Sequence, residues 1–98
     1  MVYYSNKEYK IIGYEKSNRQ GKMYNAILEN INTNTFIRVP FGSNEHENYI
    51  DNTGLNLYPH LIHGDKQRAI NYRARAKGKL KKGYYSPSYF SFYKLWKD

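Results

Sequence analysis

Two groups of side chains in this sequence could do chemistry, and they point to different work. The first is His46, His60, His63 and Asp65. His60 and His63 stand three apart, a spacing that offers two imidazoles to one metal ion if the stretch is helical. Glu45, Glu47 and Asp51 nearby raise a related idea, a metal nuclease whose carboxylates hold a divalent ion that activates water. Pro59, Leu61 and Ile62 surround the histidine pair, so an ordinary turn with one histidine packed and hydrogen-bonded fits better. The acids follow no nuclease spacing, and the oxygen donors around Asp51 and Gly54 are not spaced as a calcium loop. No phosphate-binding glycine loop, nucleophile elbow or zinc-protease helix motif occurs. The expectation is a binding protein with no catalytic residue, no metal ligand and no cofactor.

The second group is basic. Residues 66–82 hold eight of the sixteen Lys and Arg: Lys66, Arg68, Arg73, Arg75, Lys77, Lys79, Lys81 and Lys82. Together they could neutralise phosphates, with Tyr72 or Tyr84 stacking on a base or lying against sugar. No sequence-reading motif accompanies them, so a nucleic-acid contact would run through the backbone and weaken with salt. The formal charge of the chain is +8, which attracts nucleic acid, anionic membrane surfaces or acidic proteins. Cysteine is absent, so neither disulfides nor thiolates are available. No apolar run approaches the roughly 18 residues that span a bilayer. The segment Met1-Val2-Tyr3-Tyr4-Ser5-Asn6-Lys7 also lacks a basic-then-apolar leader pattern, so a soluble protein made inside a cell, with no membrane partner, is expected.

These residues need a scaffold, and 98 residues suffice for one domain. Residues 7–14, 23–31 and 35–41 are rich in β-branched and aromatic types and read as three strands. Tyr24, Ala26 and Leu28 would share one face, as would Ile37, Val39 and Phe41. Gly21 and the Asn32-Thr33-Asn34 run supply the turns, and Pro40 marks a strand end or an edge. Residues 42–64 form acidic loops with no Lys or Arg, and 45–50 is compatible with a turn or two of helix. Asp65 reads as the N-cap of a helix over 66–77 that stops at Gly78. Ile70 and Ala74 would form its apolar stripe, with Ala69, Arg73 and Ala76 beside them. Arg68, Tyr72 and Arg75 would share another face.

Seven aromatics crowd into residues 84–96, within a chain that has twelve tyrosines. Ser86-Pro87 is a helix start, and a helix from Pro87 would set Tyr89, Tyr93 and Trp96 on one side. The segment is expected to fold back over the sheet, which needs a cover. Tyr72, Tyr84, Tyr85, Tyr89, Tyr93 and Trp96 are the candidate interface aromatics, since tyrosine and tryptophan suit surfaces that are half wet. The fold class is therefore α+β: a three-stranded antiparallel meander (1–41), acidic loops (42–64), a basic helix (65–78) and an aromatic segment (84–96).

Three stretches together resemble a small family of basic proteins of unknown function encoded by tailed phages and large DNA viruses. The first is Phe41-Gly42-Ser43 with Glu47-Asn48-Tyr49. The second is His63-Gly64-Asp65-Lys66-Gln67-Arg68 with Tyr72-Arg73-Ala74-Arg75. The third is Tyr85-Ser86-Pro87-Ser88-Tyr89-Phe90-Ser91 with Leu95-Trp96. The resemblance covers about residues 36–96, and Arg75 is followed by Ala76 where the pattern leads one to expect histidine. It implies a viral origin and a place in the particle, with no activity attached.

The sequence thus leads to the expectation of a small structural component of a phage or viral particle, such as a minor capsid, cement or connector-associated protein. Its partners would be capsid or other virion proteins, with packaged nucleic acid as a further contact. The acid-only middle and base-rich end would also allow copies to meet head to tail. The alternative is a non-specific DNA-binding protein of the host cytoplasm during infection.

Overall fold

The computed structural model describes residues 3–98; Met1 and Val2, which open the expected 1–41 segment, lie outside the described residues. A two-residue strand, β1 (Tyr4–Ser5), precedes the meander of β2 (Tyr9–Lys16), β3 (Lys22–Asn30) and β4 (Phe36–Ser43). The meander is antiparallel in the order β2-β3-β4, as the alternating pattern requires. Gly21 and Asn34 take the left-handed conformations at its two turns, with φ of 82° and 59°. Cross-strand pairs Tyr24↔Phe41, Ala26↔Val39 and Leu28↔Ile37 put the expected residues on one face. Pro40 sits inside β4 opposite Asn25, tolerated because β4 is an edge strand.

A bulge in β2 decides which of its residues reach the core. Ile11 pairs with Leu28 and Gly13 with Ile27, leaving Ile12 unpaired and exposed. The extra residue shifts the alternation by one, so that Tyr14, not Gly13, joins Tyr9 and Ile11 on the packed face.

The cover comes from the aromatic segment, which folds back as expected. The basic helix, α1, is Lys66–Ala76; it is followed by a short strand, β5 (Tyr84–Tyr85), and a short helix, α2 (Pro87–Phe90), capped by Ser86. The Ser86 hydroxyl accepts from the Tyr89 amide at 3.2 Å, with Pro87 at the first helical position. β5 pairs with β1, so the segment is anchored at its start by a strand pairing that the sequence pattern did not suggest. Phe90 is fully buried and meets the rings of Tyr14, Phe41 and Tyr85 at centroid distances of 6.2, 5.5 and 5.8 Å. Burying such a side chain stabilises by about 1.5–3 kcal/mol. Beyond Phe90 the helix widens into a π-helical turn, Ser91–Leu95, which places Leu95 in the core. The wider turn also changes the phase of the following residues. Tyr89 and Tyr93 remain neighbours at 4.7 Å, but Trp96 leaves their side and lies on Tyr72, contrary to the regular-helix expectation.

The loops between β4 and α1 contain no helix over 45–50. Asn48 instead bridges to Ile62 in parallel, with Asn48 N donating to Leu61 O at 2.7 Å and His63 N to Asn48 O at 2.9 Å. A 3-10 turn, Pro59–Leu61, lies between. Tyr24 ties these loops to the sheet. Its hydroxyl donates to Asp51 and accepts from Leu57 N. Burial is the main cause that pushes its pKa up to about 12, and the Asp51 hydrogen bond adds to it.

Gly42 has φ of +75°, and an added Cβ would lie 2.8 Å from Leu95 Cδ1 and 3.2 Å from Met23 Sδ. Gly42→Ala should therefore cost about 2–4 kcal/mol in urea unfolding, through backbone strain and overpacking. Tyr14 and Tyr24 both titrate near 12 in the folded chain against about 10 when unfolded, burial leading in each case. The unfolded chain thus releases protons that the folded one keeps, so stability is full below about pH 10 and falls as pH rises toward 12. Urea midpoints at about pH 9 and about pH 11 should show the drop, and Tyr24→Phe should shrink it; an unchanged midpoint would count against the assignment.

Candidate polyanion interface

The basic side chains are positioned by α1, and α1 is positioned by its cap and by the end of the chain. Asp65 accepts from the Gln67 and Arg68 amides at 3.0 and 3.2 Å, as expected of an N-cap. The helix ends at Ala76 and tightens into a 3-10 turn, Lys77–Lys79. Gly78 falls within that turn and takes no left-handed conformation, so it is not the expected C-terminal cap. The tightened turn satisfies terminal carbonyls without one.

The docked stripe also differs from expectation. Ile70 is 50% exposed and Ala74 is exposed, whereas Ala69 and Ala76 are buried. The rotation is set by two contacts that hydropathy does not show. Tyr72 stacks on Trp96 with centroids 4.2 Å apart and planes 15° apart, and Arg73 Nη1 donates to the Trp96 carbonyl at 2.6 Å. Ala69, Tyr72, Arg73 and Ala76 are spaced at three, four and seven, the inward stripe of a helix. Burial raises the Tyr72 pKa, with Arg75 opposing.

This orientation sorts the eight expected cations. Lys66, Arg68, Arg75, Lys77, Lys79, Lys81 and Lys82 are exposed, while Arg73 is half-buried and committed to the Trp96 carbonyl. Among the described residues, Arg68 alone of the eight has a carboxylate partner, Glu47 at 3.1 Å. Lys81 lies over the rings of Tyr84 and Tyr3, at 4.6 and 5.5 Å. The lysines after Arg75 follow the helix C-terminus, where cations are favoured by the dipole.

The interface aromatics divide as well. Tyr72 and Trp96 form the stack just described, and Trp96 Nε1 donates to Asn48 Oδ1 at 3.2 Å. Tyr85 and Tyr89 pack against Phe90 with ring centroids 5.8 and 5.2 Å away, while Tyr93 is exposed and Tyr84 half-buried. Arg68, Asn71, Arg75 and Trp96 line a groove of about 250 Å³. Asn71 is not among the residues that charge or aromaticity singles out, although its position three after Arg68 and four before Arg75 places it on their face. Glu47 has no such local signal; only the folded loop brings it to Arg68.

The histidine group does not assemble. His46 and His60 are exposed, the former with Nδ1 2.9 Å from Ser43 Oγ. His63 accepts from the Asp65 amide at 2.8 Å and packs between Tyr49 and Trp96, so one histidine is indeed packed and hydrogen-bonded. Among the described residues no three His, Asp or Glu side chains form a metal-holding group. Of the acids in this stretch, Glu47 is paired with Arg68, Asp51 accepts from the Tyr24 hydroxyl and Asp65 caps α1, while Glu45 is exposed. No described helix is long and apolar enough to cross a membrane. A concavity of about 560 Å³ lies between β2 and the C-terminal segment. Its one carboxylate, Asp98, accepts from the Tyr49 hydroxyl at 2.6 Å.

No family model, no curated protein and no solved structure matches the chain.

The two kinds of arginine on α1 should separate cleanly in stability measurements. Arg73→Ala removes a charged donor from a half-buried carbonyl and should cost about 1.5–3 kcal/mol. Arg75→Ala, on the exposed face, should stay within about 0.5 kcal/mol. Equal losses would mean that Arg73 does not orient the helix.

Proposed function

We propose that this protein is a small, non-enzymatic structural component of a phage or viral particle that works by contact with a polyanion. The observation that carries the reading is the run of exposed cations from Lys66 to Lys82, of which only Arg68 has an acid partner among the described residues. Such a charge excess, held on a helix and a tight turn, suits packaged nucleic acid or an acidic coat surface. The resemblance on residues 36–96 adds the viral setting. The acids of the middle segment are mostly engaged within the chain, which favours a foreign anion over a second copy as the partner.

A second reading, a free DNA-binding protein of infected cells, is favoured by the arginine groove with its aromatic wall. Its affinity would fall with salt at about 0.9 logarithmic units per phosphate neutralised.

Quantifying the chain in purified particles tests the first reading. It should be present at a fixed ratio to the coat protein. Changing Lys77, Lys79 and Lys82 to alanine together should lower that ratio severalfold. Absence of the unaltered protein from particles would sink the structural role and leave the second reading.

A further inference from the structure

We infer that the groove formed by Trp96, Arg68, Asn71 and Arg75 is a base-stacking subsite for single-stranded nucleic acid. The inference rests on the polyanion reading and narrows it to one ligand class. Charge alone would serve any polyanion, but this groove adds three features that a bare lysine run lacks.

The first is an aromatic wall held rigidly. The Trp96 indole is stacked on Tyr72, its Nε1 donates to Asn48, and its carbonyl is fixed by Arg73. It nevertheless remains partly exposed and lines the groove. A pre-ordered ring loses little freedom when a base settles on it. The second is a pair of planar cations lining the same groove. Arg75 has no carboxylate partner among the described residues. Arg68 has only the exposed Glu47, a pairing weak enough for phosphate to replace. The third is a free amide. Asn71 Oδ1 already accepts from Gln67 Nε2 at 3.1 Å, which leaves its NH₂ group to donate to a base or phosphate oxygen.

Together these provide stacking, phosphate neutralisation and an edge donor within one groove of about 250 Å³. In a duplex the bases are stacked on one another and only the phosphates would reach the arginines, so the indole would add nothing. A single strand uses all three features. Lys77, Lys79 and Lys82 then lie further along the chain, available to the neighbouring phosphates.

Trp96 is the only tryptophan of the chain, so its fluorescence reports this groove directly. The full-length protein would be titrated with a short oligothymidylate, with a duplex of equal length and with inorganic polyphosphate. Stacking predicts saturable quenching by the single strand, and binding of polyphosphate (followed by anisotropy or calorimetry) with little quenching. Arg75→Ala should weaken single-strand binding by about tenfold, and Glu47→Gln should tighten it by freeing Arg68. Trp96→Phe, which keeps a ring on Tyr72, guards against mere unfolding; it should weaken oligothymidylate more than polyphosphate. Equal binding of all three anions without quenching would overturn the base subsite while leaving the polyanion reading intact. Binding of none of them would overturn both.

Discussion

The carbonyl groups at the end of the aromatic segment hold this structure together. A helix leaves its last carbonyls without partners of its own, and they must be satisfied from elsewhere. Here Leu95 O accepts from the Tyr49 and Ile50 amides at 3.1 and 3.0 Å, and Lys94 O accepts from Asn52 N at 2.8 Å. Trp96 O takes Arg73, and Lys97 O takes the Asn52 side chain at 2.9 Å. Apart from Arg73, which comes from α1, the donors belong to a loop that has no ladder of its own, and its amides find their partners here. Each side thus supplies what the other lacks.

From this join the rest can be followed outward. The loop that it orders carries Asn48, which holds the indole, and Glu47, which meets Arg68. The tail that it fixes carries Leu95 into the core beside Gly42 and sets Trp96 under Tyr72. The Trp96 carbonyl and ring together determine which way α1 is turned. The outward face of that helix is basic because the inward face is occupied by two alanines, a tyrosine and one arginine spent on a carbonyl.

The meander, the Asp65 cap and the Ser86-Pro87 start were legible because each is a local rule. Alternation places Tyr24, Ala26 and Leu28 together whatever the rest of the chain does, and a capping side chain acts within three residues. The basic run was legible for the same reason, as a count along the chain. What escaped depends on contacts between distant residues. Ile70 was expected inside by its hydropathy, yet ring stacking and a charged hydrogen bond from Tyr72 and Arg73 set the helix rotation. Trp96 was expected beside Tyr89 and Tyr93 because a regular helix period was assumed; one π-helical turn altered it. The β1–β5 pair is two residues long, too short for any pattern to announce.

The two edges of the meander bear on how the protein behaves when many copies are crowded together. Open sheet edges invite strand-on-strand addition and fibrous aggregates. On one side β4 carries Pro40, which has no amide proton to offer; on the other β2 is interrupted at Ile12, with Lys10 and Lys16 exposed along it. Neither edge presents an uninterrupted row of backbone donors and acceptors. Partners are thereby steered toward side-chain docking, and the chain can be stored at high local concentration without its sheets zipping into one another.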